Sequence, residues 1–217
     1  MKKLVRTLTL ALGASVLLAS CGSVTGSGPK MDTEEATALV AETVKKNIDL
    51  SQWKIYRVLW MEAEKLENEL LSVTVEMVNP AGDCFSQTFT LSGLAKGKVS
   101  DLNQVNTRSR VDFSKVTGID PQSIDPAAVQ RQYEAAKKSI PEGYTFQSIA
   151  DYDIRETMSS GDAFFDRGKN IGEIRTRFVV NLTENGKEVI ESAGKKSIQY
   201  YEMAFNVLPD GSIELDE

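Results

Sequence analysis

Two segments of the chain carry hydrophobic residues at helical spacing. The first predicts a helix whose buried face contains Ala36, Leu39, Val40, Thr43, Val44, Asn47 and Ile48. Asp32, with Glu35 three residues later, has the spacing of a capping box and is the expected N-cap. The second predicts a helix that starts at Asp125-Pro126, an N-cap followed by proline at the first helical position. Its buried face is expected to contain Val129, Tyr133, Ala136 and Ile140, and Pro141 ends it.

Alternation of apolar and polar residues predicts β-strands after each helix. Strands are expected over residues 53–60, 71–77 and 85–91, with a short one within 97–102, and then over 144–155, 173–182, 201–207 and 213–215. Both helices also end alike, in Lys45-Lys46-Asn47-Ile48 and Lys137-Lys138-Ser139-Ile140. The chain is therefore predicted to be an α+β protein of two tandem repeats, each with one helix packed on an antiparallel sheet of three to four strands.

Charge pattern specifies one strand pairing in the second repeat. The expected register sets three charged pairs on the outer face: Arg155 with Glu173, Asp153 with Arg175, and Asp151 with Arg177. The core face then pairs Ile154 with Ile174, Ala150 with Phe178, and Phe146 with Leu182. We interpret this charged ladder as a solvated sheet face in preference to an ion-binding site.

The start of the chain has the composition of an export signal. Lys2, Lys3 and Arg6 precede an apolar run over residues 8–19, which is too short to span a bilayer as a helix. At the end of this run, Leu18-Ala19-Ser20-Cys21 resembles the lipobox of bacterial lipoproteins. The resemblance implies cleavage before Cys21 and acylation of its thiol and new amine, so that lipid on Cys21 holds the protein to a membrane. The alternative is an ordinary secretory signal in which Cys21 is incidental.

Composition after the lipobox indicates a tether and then the two units. Residues 22–29 are rich in Gly and Ser, as in flexible linkers. The expected divisions are a signal peptide at 1–20, a tether at 21–31, a first unit at 32–110, a linker at 111–124 and a second unit at 125–217. Position 22 is Gly rather than Asp. If the organism is Gram-negative, the resemblance to bacterial lipoproteins implies localisation to the outer membrane, and the expected orientation is toward the periplasm.

Charge and residue usage exclude several kinds of chemistry. Removing residues 1–20 takes away three positive charges and lowers the net charge from −6 to −9, so the domain lacks the basic footprint of a nucleic-acid-binding protein. The absence of histidine excludes Ser-His-Asp and Cys-His catalysis. With Cys21 acylated, Cys84 is the remaining thiol, and it is expected to be structural rather than reactive. No metal or cofactor site is predicted.

Four aromatic residues are the candidate binding residues. Phe164 and Phe165 lie in a Gly-flanked segment, 158–170, at the tip of the predicted charged hairpin. Exposed aromatic rings are favoured anchors at protein interfaces, although the alternative is that both rings fold back onto the core. Tyr56 and Trp60 share the same parity on the first strand. They are candidates for a ligand-stacking surface, with packing as the alternative.

The order of elements gives a second resemblance. A helix followed by three or four strands, repeated with the Lys-Lys-x-Ile echo, is similar to the duplicated domains of β-lactamase-inhibitor-like proteins and the related PepSY-type modules. The resemblance implies non-enzymatic binding or inhibition of a protein or small-ligand partner. Two alternatives stay open: a carboxylate-dependent hydrolase of the envelope, which requires two acids converging in a pocket, and a structural component of an envelope assembly.

Overall fold

The computed structural model describes residues 28–107, 110–159, 162–164, 166–192 and 195–216. Helix α1 is Glu34–Asn47 and helix α2 is Pro126–Lys138, with 3-10 turns at Phe113–Lys115 and Pro121–Ser123. The strands are β1 Lys54–Glu62, β2 Leu70–Val78, β3 Cys84–Thr90, β4 Asn103–Val105, β5 Tyr144–Glu156, β6 Ile174–Glu184, β7 Val189–Ser192, β8 Lys195–Ile198, β9 Tyr201–Val207 and β10 Ile213–Leu215. Over these residues, neither helix is long and apolar enough to cross a bilayer.

Eight of the strands form one continuous antiparallel sheet. Their order is β10-β9-β6-β5-β1-β2-β3-β4, and β7 and β8 form a separate two-stranded ribbon. The halves of the chain meet where β1 pairs with β5, with Trp60 opposite Tyr152. The predicted α+β class with antiparallel pairing is therefore confirmed, and the strands of both halves share one sheet, a point that the sequence left open.

Both helices pack on the same face of the sheet. Their buried residues, including Val40 and Val44 of α1 and Val129 and Ala136 of α2, belong to one hydrophobic cluster with the sheet. The centre of this cluster is a row of aromatic rings from β1, β5, β6 and β9: Trp60, Tyr152, Phe178 and Phe205, with stacked neighbours 4.4, 5.7 and 5.3 Å apart. The row crosses the β1–β5 junction, so the core is continuous between the halves.

A smaller cluster covers part of the opposite face. Tyr56, Val78, Cys84 and Val116 are buried there, and Phe113 packs against them. The segment 111–124, predicted as a linker, supplies part of this cover, and Val116, Ile119 and Ile124 are buried. The segment is thus a packed part of the body. Cys84 is 2% exposed and burial raises its pKa, which favours the structural role predicted for this thiol.

The two helix starts give one correction and one confirmation. The N-cap of α1 is Thr33, whose Oγ1 accepts the Ala36 N–H at 3.3 Å, so the prediction of Asp32 as the cap is wrong. Asp32 is instead bound by Asn68 and Lys137. Because both oxygens of the Asp32 carboxylate are bound by these partners, the side chain does not cap the helix. Asp125 caps α2 as predicted, with Pro126 at the first helical position.

The predicted register between β5 and β6 is wrong over most of its length. Phe146 does face Leu182, but β-bulges between Phe146 and Ser148 and between Ile149 and Asp151 each shift the pairing. The shifted pairs set Arg155 opposite Arg175, Asp153 opposite Arg177, Asp151 opposite Val179, Ile154 opposite Thr176 and Tyr152 opposite Phe178. A bulge adds a residue to one strand, so charge alternation alone could not specify the register.

The described chain begins inside the body, at one end of the sheet. The Leu70 N–H donates to the Pro29 carbonyl at 3.0 Å, the Met31 N–H donates to the Asn68 carbonyl at 2.7 Å, and Met31 is fully buried. A Cβ on Gly28 would lie 2.6 Å from the Leu70 carbonyl oxygen and 2.7 Å from Ser92 Cβ, so only glycine fits. The last residues of the predicted tether, 28–31, therefore belong to the folded body.

Candidate functional site

The β5–β6 loop, residues 157–173, extends its hairpin beyond the sheet. The Thr157 N–H donates to the Glu173 carbonyl at 2.8 Å and the Gly172 N–H donates back to the Thr157 carbonyl at 2.9 Å. Nearer the tip, the Phe164 N–H donates to Asp162 Oδ1 at 2.8 Å, and the Ser159 hydroxyl donates to Asp166 Oδ2 at 2.5 Å. Local hydrogen bonds therefore hold the described part of this loop in a defined conformation.

Apolar side chains are presented to solvent at this loop. Phe164 is 76% exposed, and Ile171 and Ile174 are 37% and 45% exposed. Phe165 lies outside the described residues. The exposure of Phe164 fits the anchor interpretation and not the alternative in which its ring folds back onto the core. A site of this kind can bind an apolar pocket on another molecule.

Glu156 fixes the base of the loop. Its side chain is 2% exposed, and its two carboxylate oxygens accept the backbone N–H groups of Thr117 and Gly118, each at 2.8 Å. A shallow cleft beside it is lined by residues that include Val111, Val116, Met158 and Ile171. The carboxylate therefore joins the loop to the segment that connects the two halves of the chain.

Arginines cluster on the outer face next to this loop. Arg57 faces Arg155 across the β1–β5 junction, and Arg155 faces Arg175. Like charges directly opposite each other destabilise a strand pair unless acids intervene. Arg57 binds both oxygens of Asp153, at 2.8 and 3.1 Å, and Glu76 at 2.9 Å. Arg155 binds Asp153 and Arg175 binds Glu173, so each arginine of the row has a carboxylate partner. The interpretation of these charges as a surface network is retained, although the paired residues differ from those predicted.

Tyr56 and Trp60 lie on opposite faces of the sheet. The bulge between Ile55 and Arg57 breaks the parity that the sequence implied. Tyr56 joins the small outer cluster at 7% exposure, with its pKa raised by burial, and Trp60 is fully buried in the aromatic row. Neither ring presents a surface to a ligand, which favours the packing alternative for both.

A buried polar network at the Glu62 end of β1 was missed by sequence reasoning. Asn181 is fully buried, and its Nδ2 donates to Glu62 Oε1 at 2.7 Å and to Ser148 Oγ at 2.9 Å. The Asn68 N–H donates to Glu62 Oε2 at 3.1 Å. Glu62 is 7% exposed, and burial raises its pKa. Asn181 is a polar residue within an apolar strand and could have indicated this network. The alternation of the strand placed it on the solvated face instead.

The network continues to the start of the described chain. Asn68 Oδ1 accepts the Ile149 N–H at 2.9 Å, while Asn68 Nδ2 donates to Asp32 Oδ1 at 2.6 Å. Lys137 of α2 binds the other oxygen of Asp32 at 2.7 Å. Leu66 adopts φ 73, a left-handed conformation that is unusual for a branched side chain, and its N–H points to Glu62. Glu62 and Asn68 therefore connect the β1–β2 turn to the start of the described chain and, through Asp32, to helix α2.

Two acids of the described residues, Glu62 and Asp151, have raised pKa values. Burial raises the pKa of Asp151, and the charges that act on it are those of Arg177, Asp153, Glu202 and Lys65. Glu62 is occupied by the hydrogen bonds of its own network. Among the described residues, no group of three or more Cys, Asp or Glu side chains is placed to hold a metal ion.

Comparison with known proteins gives no relative. No protein family matches the chain, no curated protein is similar to it, and no solved structure resembles it.

Proposed function

We propose that this protein is a lipid-anchored lipoprotein of the bacterial cell envelope and acts as a non-catalytic binding protein. It recognises a protein partner through the β5–β6 loop. The proposal combines the export and lipidation signal that ends at Cys21 with the apolar side chains that the loop presents to solvent.

The observation that carries the proposal is Phe164, which is 76% exposed on a hydrogen-bonded loop. A phenylalanine ring has a large apolar surface, and burying that surface in a partner's pocket would be favourable. A loop held in one conformation also loses less entropy on binding than a flexible one. Together these features favour protein recognition at the loop.

The anchor is proposed to be lipid on Cys21, with the protein held at the outer membrane and facing the periplasm. The basic start, the apolar run and Leu18-Ala19-Ser20-Cys21 support this assignment. Gly28 is the first described residue and is already part of the folded body, so at most six residues, 22–27, separate Cys21 from it. Replacing Cys21 with Ser is expected to move the protein from the membrane fraction to the soluble fraction, with no acyl mass on the purified chain.

We also propose that the two halves are copies of one ancestral unit. Each half contains one helix and four strands of the main sheet, and β1 and β5 occupy equivalent central positions. The order of elements in each half, a helix followed by strands, is the feature on which the resemblance to duplicated β-lactamase-inhibitor-like and PepSY-type domains rests, and that resemblance implies a role in binding. The 3-10 turns, the β7–β8 ribbon and the 157–173 loop are then later differences between the copies.

The binding proposal is tested by photocrosslinking in intact cells. A photoreactive phenylalanine analogue at position 164 is expected to give a discrete crosslinked product, recovered through a C-terminal tag. The matched control carries the analogue at Val189, which is 55% exposed on the β7–β8 ribbon. Equal products from both positions, or none from position 164 in membrane-attached protein, would contradict recognition through the β5–β6 loop.

A further inference from the structure

The β3–β4 loop lies beside the place where the tether joins the body. The Ser92 hydroxyl donates to the Leu70 carbonyl at 2.5 Å, and the Leu70 N–H donates to the Pro29 carbonyl. Ser92 is also the side chain closest to Gly28. The residues that follow, 93–98, therefore project from the body immediately next to the tether.

This loop has an apolar tip with basic residues on one side. Leu94 is 91% exposed, the highest exposure among the large hydrophobic residues described. Lys96 and Lys98 follow and are exposed, and residues 92–100 contain no Asp or Glu. The Gly97 N–H donates to the Thr90 carbonyl at 2.8 Å and the Thr90 N–H donates to the Lys98 carbonyl at 2.9 Å, so the turn is closed by backbone hydrogen bonds. Positive charge is thus concentrated locally on an acidic chain.

The tether is too short to carry this loop far from the bilayer. Six residues, 22–27, separate Cys21 from Gly28, and the seven Cα–Cα steps between the two residues span at most about 25 Å when fully extended. The end of the sheet that receives the tether is therefore held close to the lipid headgroups.

We propose that the β3–β4 loop is a lipid-contacting site, with Leu94 inserted among the headgroups and Lys96 and Lys98 attracted to anionic lipid. The inference rests on the proposed lipidation of Cys21. An apolar residue with adjacent lysines suits the boundary between headgroups and acyl chains. The contact sets the orientation of the body, so that the sheet stands away from the bilayer.

The same orientation places the β5–β6 loop on the far side of the molecule. Strand β5 runs away from the tether from Ile149, which Asn68 binds, to Glu156, a rise of about 20 Å. Phe164 lies beyond that strand end. The partner of Phe164 is therefore a protein surface outside the membrane and not the bilayer that holds the anchor.

The test places one environment-sensitive fluorophore on the lipidated full-length protein in vesicles of phosphatidylethanolamine and phosphatidylglycerol. Leu94→Cys and Phe164→Cys provide the two attachment sites, because Cys84 is buried and Cys21 is acylated in the proposed protein. The label at position 94 is expected to shift to the blue and to be quenched by headgroup-attached quenchers. The label at position 164 is expected to remain accessible to aqueous iodide.

Charge is tested by adding Lys96→Gln and Lys98→Gln to the position-94 protein. Each lysine is expected to contribute about a fivefold preference for anionic over neutral vesicles. Lys115→Gln is the matched control, since Lys115 has a 67% exposed side chain at the other end of the sheet. Acylated protein whose two labels respond alike, or whose response ignores the two lysines, overturns the lipid-contacting site alone. A chain without acyl mass overturns the anchor as well.

Discussion

The two ends of the sheet use their polar and apolar side chains in opposite ways. At the tether end, which contains residues 28–31, 62–70 and 91–98, buried polar groups such as Asn181 and Glu62 bind one another under the surface. At the loop end, which contains residues 111–118 and 156–174, Glu156 is also buried, but the ion pair of Arg175 with Glu173 and the ring of Phe164 are exposed. We therefore expect the first end to contribute more to stability and propose that recognition takes place at the second, with Leu94 as an exposed apolar residue at the tether end.

The largest effect is expected from Asn181→Ala at the tether end. The change removes two buried hydrogen bonds, one of them to the Glu62 carboxylate, at a cost of about 3 kcal/mol in the free energy of unfolding. Urea denaturation measures it. Asn206→Ala is the control, because Asn206 donates to Asp216 at the exposed surface. If the two variants lose equal stability, the buried network is not a stabilising feature.

A smaller loss is expected from Arg57→Met on the outer face. Arg57 is 24% exposed and bridges Glu76 and Asp153 across three strands, so its removal is expected to cost about 1.5 kcal/mol. Arg175→Met, whose exposed guanidinium binds Glu173 two residues away, is expected to cost under about 0.5 kcal/mol. The comparison fails if Arg175 matters as much as Arg57 in the same denaturation experiment.

The pH dependence of stability is expected to show opposite signs for two aspartates. Burial raises the folded-state pKa of Asp151, so its contribution to stability is present below the unfolded pKa, near 4, and is lost as pH rises through the folded value. Asp151→Asn is therefore expected to gain stability relative to the parent between pH 4 and pH 7. Hydrogen bonds from Ser51 lower the folded-state pKa of Asp49, so its contribution to stability is present above the unfolded pKa, near 4, and is lost as pH falls through the folded value. Asp49→Asn is therefore expected to be less stable than the parent above pH 4, with the difference disappearing at lower pH. Urea titrations at several pH values check both signs.

The smallest effects on stability are expected from the two exposed apolar tips. Phe164→Ser and Leu94→Ser should each change the free energy of unfolding by less than about 0.5 kcal/mol, because neither side chain is buried. Their functional effects should separate, since the first variant should no longer capture the protein partner and the second should bind lipid more weakly. A large drop in the stability of Phe164→Ser would instead show that its ring packs against the protein.

Local patterns predicted the elements of the fold and missed how the strands align. The helices, the strands from β1 to β3 and the pairing of Phe146 with Leu182 follow from periodicity and capping chemistry. The bulges in β1 and β5 add residues that no charge pattern reveals, and they moved Tyr56 off the face of Trp60 and changed the charged pairs. The sequence also could not indicate that β1 and β5 adjoin, because nothing local to either strand encodes a partner so distant in the chain.

The candidate site was predictable only where it depends on a single exposed residue. Phe164 and Phe165 stand out in the sequence because the segment around them, 158–170, contains mainly polar residues and glycine, and the structure exposes the ring of Phe164. The role of Glu62, Asn68 and Asn181 depends on three segments meeting in space, so no spacing in the sequence indicated it. The β3–β4 loop was missed for the same reason, since its proximity to Gly28 comes from the β2–β3 pairing.

The junction between β1 and β5 also determines when this protein can complete its fold. Arg57 and Asp153, which join these strands, are 96 residues apart in the chain. Until the second half has been synthesised, β1 is an edge strand with unpaired backbone groups, open to pairing with other chains. Contacts of such long sequence separation also form slowly. A chain that emerges from its amino terminus is therefore expected to need protection from aggregation until strand β5 is available to pair.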